Sequence, residues 1–457
     1  MTRNDSEMMM NKTKNRIQLS EHFTYSKIFR FSMPSIIMMV FTSIYGIVDG
    51  FFVSNFVGKQ PFTAVNLIFP VIMIAGAFGF MMGSGGTAIV AKTLGEKRRE
   101  DANKYFSFIV IVTAIAGVAI SLLGIVFMRP LAILLKAEGA LIDYCVIYGR
   151  LVLLALPFFM LQNLFQSFLI VAEKPKLGLW ITLVAGVTNM VLDALFIAVF
   201  KWGLAGAAIA TGLSQVVGGL APVVYFFRKN DSLLAFCKTK YYGHVLFKSV
   251  TNGSSELMSN ISSSIVTILY NAQLMKFAGE DGVAAYGVIM YAGFIFFAMF
   301  IGYSIGTAPI IGYNYGAENT DELKNMLKKS AIITFGAGAA MTVISFAFAH
   351  PLSSIFVGYD KDLLDMTVKG FRIFSFSFVF SGFSVFSSSF FTALNNGPVS
   401  AAISFLRTLV YQVAGILLLP LLFKLDGIWF SLILSEALAL ITTFVFLFAY
   451  KNKYRYL

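Results

Sequence analysis

Two aspartates lie deep in apolar sequence, Asp49 in SIYGIVDGFFVSNFVG and Asp193 in VTNMVLDALFIAVF. An ionisable group inside a bilayer is costly and is usually kept for a function. Each has a polar residue four positions earlier, Tyr45 before Asp49 and Asn189 before Asp193. That spacing puts each pair on one face of a helix. Thr211, in GLAGAAIATGLS, offers a further oxygen. Two carboxylates, a carboxamide and hydroxyls suit a hard cation or a proton. The alternative role for all five is to join helices by hydrogen bonds.

A second group of acidic and amide residues is expected to face a cavity. Glu256, in NGSSELMSN, is placed to attract a cationic substrate, and Gln166 and Asn163 are assigned to the same cavity. Glu436 is a second embedded carboxylate, read either as a buried hydrogen-bonded group or as part of a site. Pro34, Pro70 and Pro157 interrupt apolar runs. Pro34 is the candidate hinge, because a proline in a helix removes a hydrogen bond and bends it.

The elements that must hold these residues are membrane helices. The chain is 58% hydrophobic and only 13% charged, about half the charge of a soluble domain. Apolar runs of about 20 residues recur, each long enough to cross a bilayer. Twelve spans are expected, at 28–57, 62–90, 105–127, 145–171, 177–200, 204–227, 245–277, 283–311, 331–349, 371–394, 401–423 and 427–450. The first is expected to serve as the insertion signal. Residues 1–26, 228–244 and 451–457 are left as polar tails and a linker.

The chain also repeats itself. SGGTAIVAKTLGEK (Ser84 to Lys97) returns about 220 residues later as SIGTAPIIGYNYGAEN (Ser304 to Asn319). FQSFLIVAEKPKLG has a partner in SSSFFTALNNGPVS, and Phe200-Lys201 in Phe423-Lys424. Six spans per copy make the copies parallel, so the fold class expected is an all-α integral membrane protein. Its twelve helices would form two six-helix lobes, 27–227 and 245–450, about a pseudo-twofold axis along the membrane normal. On the repeat, Asp49 falls opposite Tyr270, Asp193 opposite Ile416 and Asn189 opposite Gln412. The second copy keeps the frame without the carboxylate pair, which a purely architectural pair would not predict.

Charge sets the orientation. Of 35 Lys and Arg residues, 25 fall on the side of the N-terminus, Arg407 counted among them at a helix end. That bias predicts cytoplasmic termini and accounts for the net charge of +12 without nucleic acid. Cys145 and Cys237 are expected near opposite faces, too far apart to bond. The glycines of MGSGG and IGYSIG lack the strand and the Lys-Ser of a phosphate loop, and read as close helix contacts. HExxH, GxSxG and Walker patterns are absent from the sequence, so neither an enzyme nor an ATP-driven pump is expected, and no cofactor beyond a transported Na+ or H+.

The proline-bearing first span with YGIVDGFFV, the NxxxD of the fifth span and the following GLAGAAIATGLS, within the repeat, resemble the multidrug and toxic compound extrusion (MATE) family, in particular its DinF-like branch. The resemblance spans 27–450. It implies a plasma-membrane exporter of organic cations driven by sodium or proton entry. It also implies a first-lobe cation site of Asp49, Asn189, Asp193 and Thr211 with Tyr45 adjacent, and a bend at Pro34. Partners would be small amphipathic drugs and membrane lipid, with the protein a monomer. Two other readings are a flippase for a lipid-linked precursor, which would favour a cationic cavity, and a transport-dead membrane receptor.

Overall fold

A computed structural model describes residues 17–135 and 137–457, and among them all regular structure is helical. The stretch 1–16, with Arg3, Lys12, Lys14 and Arg16, lies outside the described residues. Apolar runs become helices here because a bilayer offers no partner for free backbone groups. The first lobe has α1 (Tyr25–Val57), α2 (Lys59–Gly95), α3 (Arg99–Leu134), α4 (Ala140–Leu154 and Leu156–Val171), α5 (Pro175–Val199) and α6 (Gly203–Phe227). The second has α7 (243–278), α8 (280–316), α9 (Thr320–Val357), α10 (Lys361–Ser375 and Ser377–Ala393), α11 (397–423) and α12 (425–454).

Two of these boundaries fall inside uninterrupted helical stretches and are fixed by backbone dihedrals. Gly279 (φ 62°, ψ −149°) and Lys424 (φ 51°, ψ −128°) leave the helical region. The chain reverses at both. Tyr270 and Tyr286 stack with ring centroids 4.8 Å apart, and Tyr411 bonds Thr442 at 2.6 Å. At 1.5 Å per residue a straight helix would hold these pairs roughly 24 and 46 Å apart. Twelve spans result among the described residues.

The duplication reaches down to single dihedral angles. Positive φ recurs at repeat-related turns: Gly58 with Gly279, Lys97 with Glu318, Glu173 with Asn395, and Lys201 with Lys424. The recurring Phe-Lys is therefore a turn whose lysine takes the left-handed conformation. Bends recur too. α4 breaks at Ala155 with a 52° bend and α10 at Phe376 with a 45° bend. Pro157 does not interrupt a helix, as the sequence suggested. It sits in the first turn of the second α4 segment, where its missing N–H costs nothing. α1 and α2 run on through Pro34 and Pro70.

The lobes meet at the end that carries the chain termini. There the recurring glycines pack helix on helix, as small residues allow. A Cβ on Gly95 would overlap the Tyr313 carbonyl, and one on Gly316 the Lys92 carbonyl. Tyr313 and Lys92 each lie three residues before the partner glycine, so the contact is reciprocal about the pseudo-axis. Gly85 and Gly253 make the same kind of approach to Ser249 and Met81. A strap before α1 joins the lobes as well. Leu19 N–H donates to Glu173 of the first lobe at 2.8 Å, while Phe23 N–H and His22 engage Glu322 of the second at 3.0 and 2.7 Å. The linker 228–242 lies along α3, where Ala235 and Cys237 N–H donate to Asn103 and Ser107. At the other terminus α12 continues through Tyr454, and Tyr456 is buried against Phe390 and Phe391. Cys145 and Cys237 are both free.

Candidate functional site

Asp49 and Asp193 come together in the first lobe. Each lies within about two turns of the far end of its helix, and their carboxyl groups lie against one another. In both cases the α-helix gives way to a π-helical segment just beyond, Val53–Val57 after Asp49 and Ala194–Val199 after Asp193. Single π turns inside helices are rare and gather at functional sites, since they reaim side chains and loosen the hydrogen-bond ladder.

The environment of the pair is polar and unpaired. Asp193 and Asn189 are buried, at 0% and 1% exposure. Asp49 Oδ1, both oxygens of Asp193, both amide atoms of Asn189 and Thr211 Oγ1 are buried without a hydrogen-bond partner. A native protein satisfies more than nine in ten such atoms, so these unpartnered atoms stand out as candidates for holding a bound ion. Neither carboxylate makes an ion pair among the described residues. Two facing acceptors have no donor between them, so a proton or a cation must supply the compensating charge. The oxygen-rich set fits a hard monovalent cation.

Tyr45 packs against Phe41 and over Gly186 of α5, which lets α1 and α5 approach, and lies near Asp49. The sequence reading missed Tyr148 of α4. This buried residue lies within electrostatic reach of both aspartates and walls their pocket from a third helix. A tyrosine in an apolar run carries no signal of such a role.

The repeat-related positions in the second lobe carry no carboxylate, and two of them, Tyr270 and Gln412, line the cavity described below. Tyr270 and Ile416 belong to one hydrophobic cluster, and Tyr270 is hydrogen-bonded to Ser431 at 2.7 Å. Ile416→Val should therefore cost only about 1 kcal/mol of stability by shaving a methyl group from a core. Thermal unfolding in detergent should register that loss, while export by the variant stays within about twofold of the parent. A larger transport defect would mean that the second copy of the site is functional after all.

A cavity of about 320 Å³ lies mainly against the second lobe and is closed on one side by Ser84, Thr87 and Ser167 of the first. Glu256 lines it, as do Glu436 and Arg407. Asn163 and Gln166 are buried in α4 and are not part of this lining, although their neighbour Ser167 is. Asn163 spends its amide on the Phe159 carbonyl. Arg407 corrects the charge count made from sequence. It lies ten residues inside α11, and it pairs with Glu436 across 2.8 Å rather than standing at a helix end.

The profile of the MatE family matches this chain twice, over 34–195 and again over 257–417, once in each lobe. The chain belongs to the MatE family. The two matches are the internal repeat seen from outside. The multidrug export protein MepA of Staphylococcus saprophyticus is 23% identical over 443 residues, covering 94% of this chain and 96% of its own. MepA of Staphylococcus haemolyticus is 24% identical with the same coverage. Among solved structures, an outward-facing conformation of a multidrug resistance MATE family transporter of the MOP superfamily superposes with a TM-score of 0.89 at 24% identity. It covers 94% of this chain and 96% of that one. A crystal structure of MATE in the straight conformation gives the same TM-score and coverage. These likenesses establish the MATE fold of two six-helix lobes in a multi-pass membrane protein.

Proposed function

We propose that this MatE protein is a secondary active multidrug exporter of the plasma membrane, which exchanges amphipathic organic cations for entering Na+ or H+. The observation that carries the proposal is the group of buried, unpartnered atoms on Asp49, Asn189, Asp193 and Thr211. It occurs in one lobe only of a duplicated frame, since the positions opposite Asp49 and Asp193 in the other copy are Tyr270 and Ile416, which carry no carboxylate. The curated relatives named as multidrug export proteins support the same reading.

In this scheme the positive-charge bias puts both termini in the cytoplasm, so the glycine-packed end is the cytoplasmic gate. The lobes 27–227 and 245–450 rock about that frame as a monomer, and α1 bends near Pro34. The coupling ion enters between Asp49 and Asp193, while the drug occupies the cleft beside the second lobe. The lining favours an exporter over a flippase, since two carboxylates and one arginine do not make a cationic cavity. The orphan carboxylate pair disfavours a transport-dead receptor.

Efflux of ethidium from inside-loaded proteoliposomes tests this. An inward Na+ gradient or an inward H+ gradient should drive it, and dissipating that gradient should stop it. Efflux that ignores both gradients would sink the proposal.

A further inference from the structure

The second lobe holds charge that the carboxylate pair of the first leaves unexplained. Three charged side chains reach the cavity: Glu256, Arg407 and Glu436. Arg407 Nε donates to both oxygens of Glu436, at 3.0 and 2.8 Å. Glu436 is wholly buried, and Arg407 keeps 14% of its side chain exposed. The pairing uses only the Nε edge. Among the described residues neither terminal amino group of Arg407 has a protein acceptor, so four N–H groups of the fork remain. Phe297, which also lines the cavity, lies near the guanidinium, its ring centroid 5.9 Å from the guanidinium carbon.

A bare structural ion pair would spend that fork on protein acceptors, because a buried charge pair rarely repays its desolvation unless its geometry is fully used. The backbone gives a second, independent sign. Among the described residues there are three π-helical segments. Two follow Asp49 and Asp193, and the third, Leu406–Val410, contains Arg407. In each case the repeat-related stretch of the other lobe is ordinary α-helix. The irregular backbone thus follows the embedded charge and not the duplicated frame. Glu256 has no ion-pair partner among the described residues, which leaves one carboxylate and one guanidinium fork open to the same space.

We propose that Arg407 is the specificity-determining residue of this cavity for ligands that carry a carboxylate: the carboxylate docks on the free fork of Arg407, and the cationic part of such a ligand lies by Glu256 and the rings of Phe294 and Phe297. A planar fork of parallel N–H donors matches a carboxylate, whereas a lysine would offer only a point charge. Glu436 holds the fork in register from its far edge. The inference assigns a carboxylate-reading residue to the exporter and rests on that reading only for the claim that the bound molecule is then moved.

The test is equilibrium binding of two dyes to the purified full-length protein, read by fluorescence polarisation without any gradient. Rhodamine B carries a xanthylium cation and a free carboxylate, and its ethyl ester carries the same cation with the carboxylate masked. The variant is the double Arg407→Gln, Glu436→Gln, which neutralises both partners together and leaves no buried unpaired charge. Its Kd for rhodamine B should rise about tenfold or more, the loss expected for a charge-assisted bidentate contact, and the ester should weaken by much less. Arg407→Lys, which keeps the charge without the fork, should show the same discrimination at smaller size. It carries the test alone if the double variant does not fold. Glu256→Gln should weaken both dyes alike. Equal weakening of the two dyes by the Arg407 variants, or no weakening of rhodamine B, would overturn the assignment. Failure of ester efflux in proteoliposomes would count against the exporter reading and leave this binding result standing.

Discussion

Asp49→Asn and Asp193→Asn should each abolish gradient-driven export, by on the order of a hundredfold or more, and the double variant should be little worse than either single one. The expectation follows if the two carboxyls act as one unit. They lie against each other, and Asp49 Oδ1 and both oxygens of Asp193 are buried without a protein hydrogen-bond partner. Removing one charge leaves the other able to settle without a cation. The free-energy difference between loaded and empty states then disappears, and with it the coupling. The same substitutions should leave the melting temperature unchanged or raise it, because an asparagine amide can donate to the remaining carboxylate. Active sites commonly trade stability for function in this way. Measuring efflux and thermal unfolding on the same preparations separates lost coupling from lost folding. Partial losses that add in the double variant would mean two independent sites, and wild-type efflux in either single variant would place coupling elsewhere.

Much of the frame was legible because bilayer sequence is under simple constraints. Long apolar runs marked the spans, and the repeated Gly-Thr-Ala and Phe-Lys segments marked equivalent turns. Asp49, Asn189 and Asp193 stood out because nothing cheap explains a carboxylate there. Other features were hidden for physical reasons. Phe376 bends α10 as Ala155 bends α4, yet no proline marks it. Packing about a shared architecture sets both bends, and local chemistry does not. Arg407 was read as a helix end because it stands near the start of an apolar run, but its partner Glu436 is 29 residues away across a hairpin. The strap at Leu19–Phe23 binds Glu322, some 300 residues on, which no local pattern can show. π-helical segments leave no compositional trace either. Their position beside Asp49, Asp193 and Arg407 is information that only the fold supplies.

The double substitution Gly85→Ala, Gly253→Ala should hold the two lobes apart at the end that carries the termini and cut export at least about tenfold. The added Cβ atoms would overlap the carbonyls of Ser249 and Met81. These are backbone atoms of helices in the opposite lobe, so no rotamer change relieves the contact and the lobes themselves must separate. Protein interiors do not deform smoothly, so a displacement of an ångström or so tips the equilibrium toward the state open at this end. A cycle that needs the closed state as often as the open one then stalls. Spin labels at Lys97→Cys and Glu318→Cys, in a background with Cys145→Ser and Cys237→Ser, report this directly. Both label sites are exposed and flank the reciprocal contact of Gly95 and Gly316. The distance between labels should lengthen in the double variant. Gly336→Ala serves as the control, since nothing stands within 4 Å of its Cβ position, and replacing a helical glycine there stabilises by about 0.5–1 kcal/mol if anything. An unchanged label distance with full export would show that the glycine contacts are passive packing and that the gate closes through other residues.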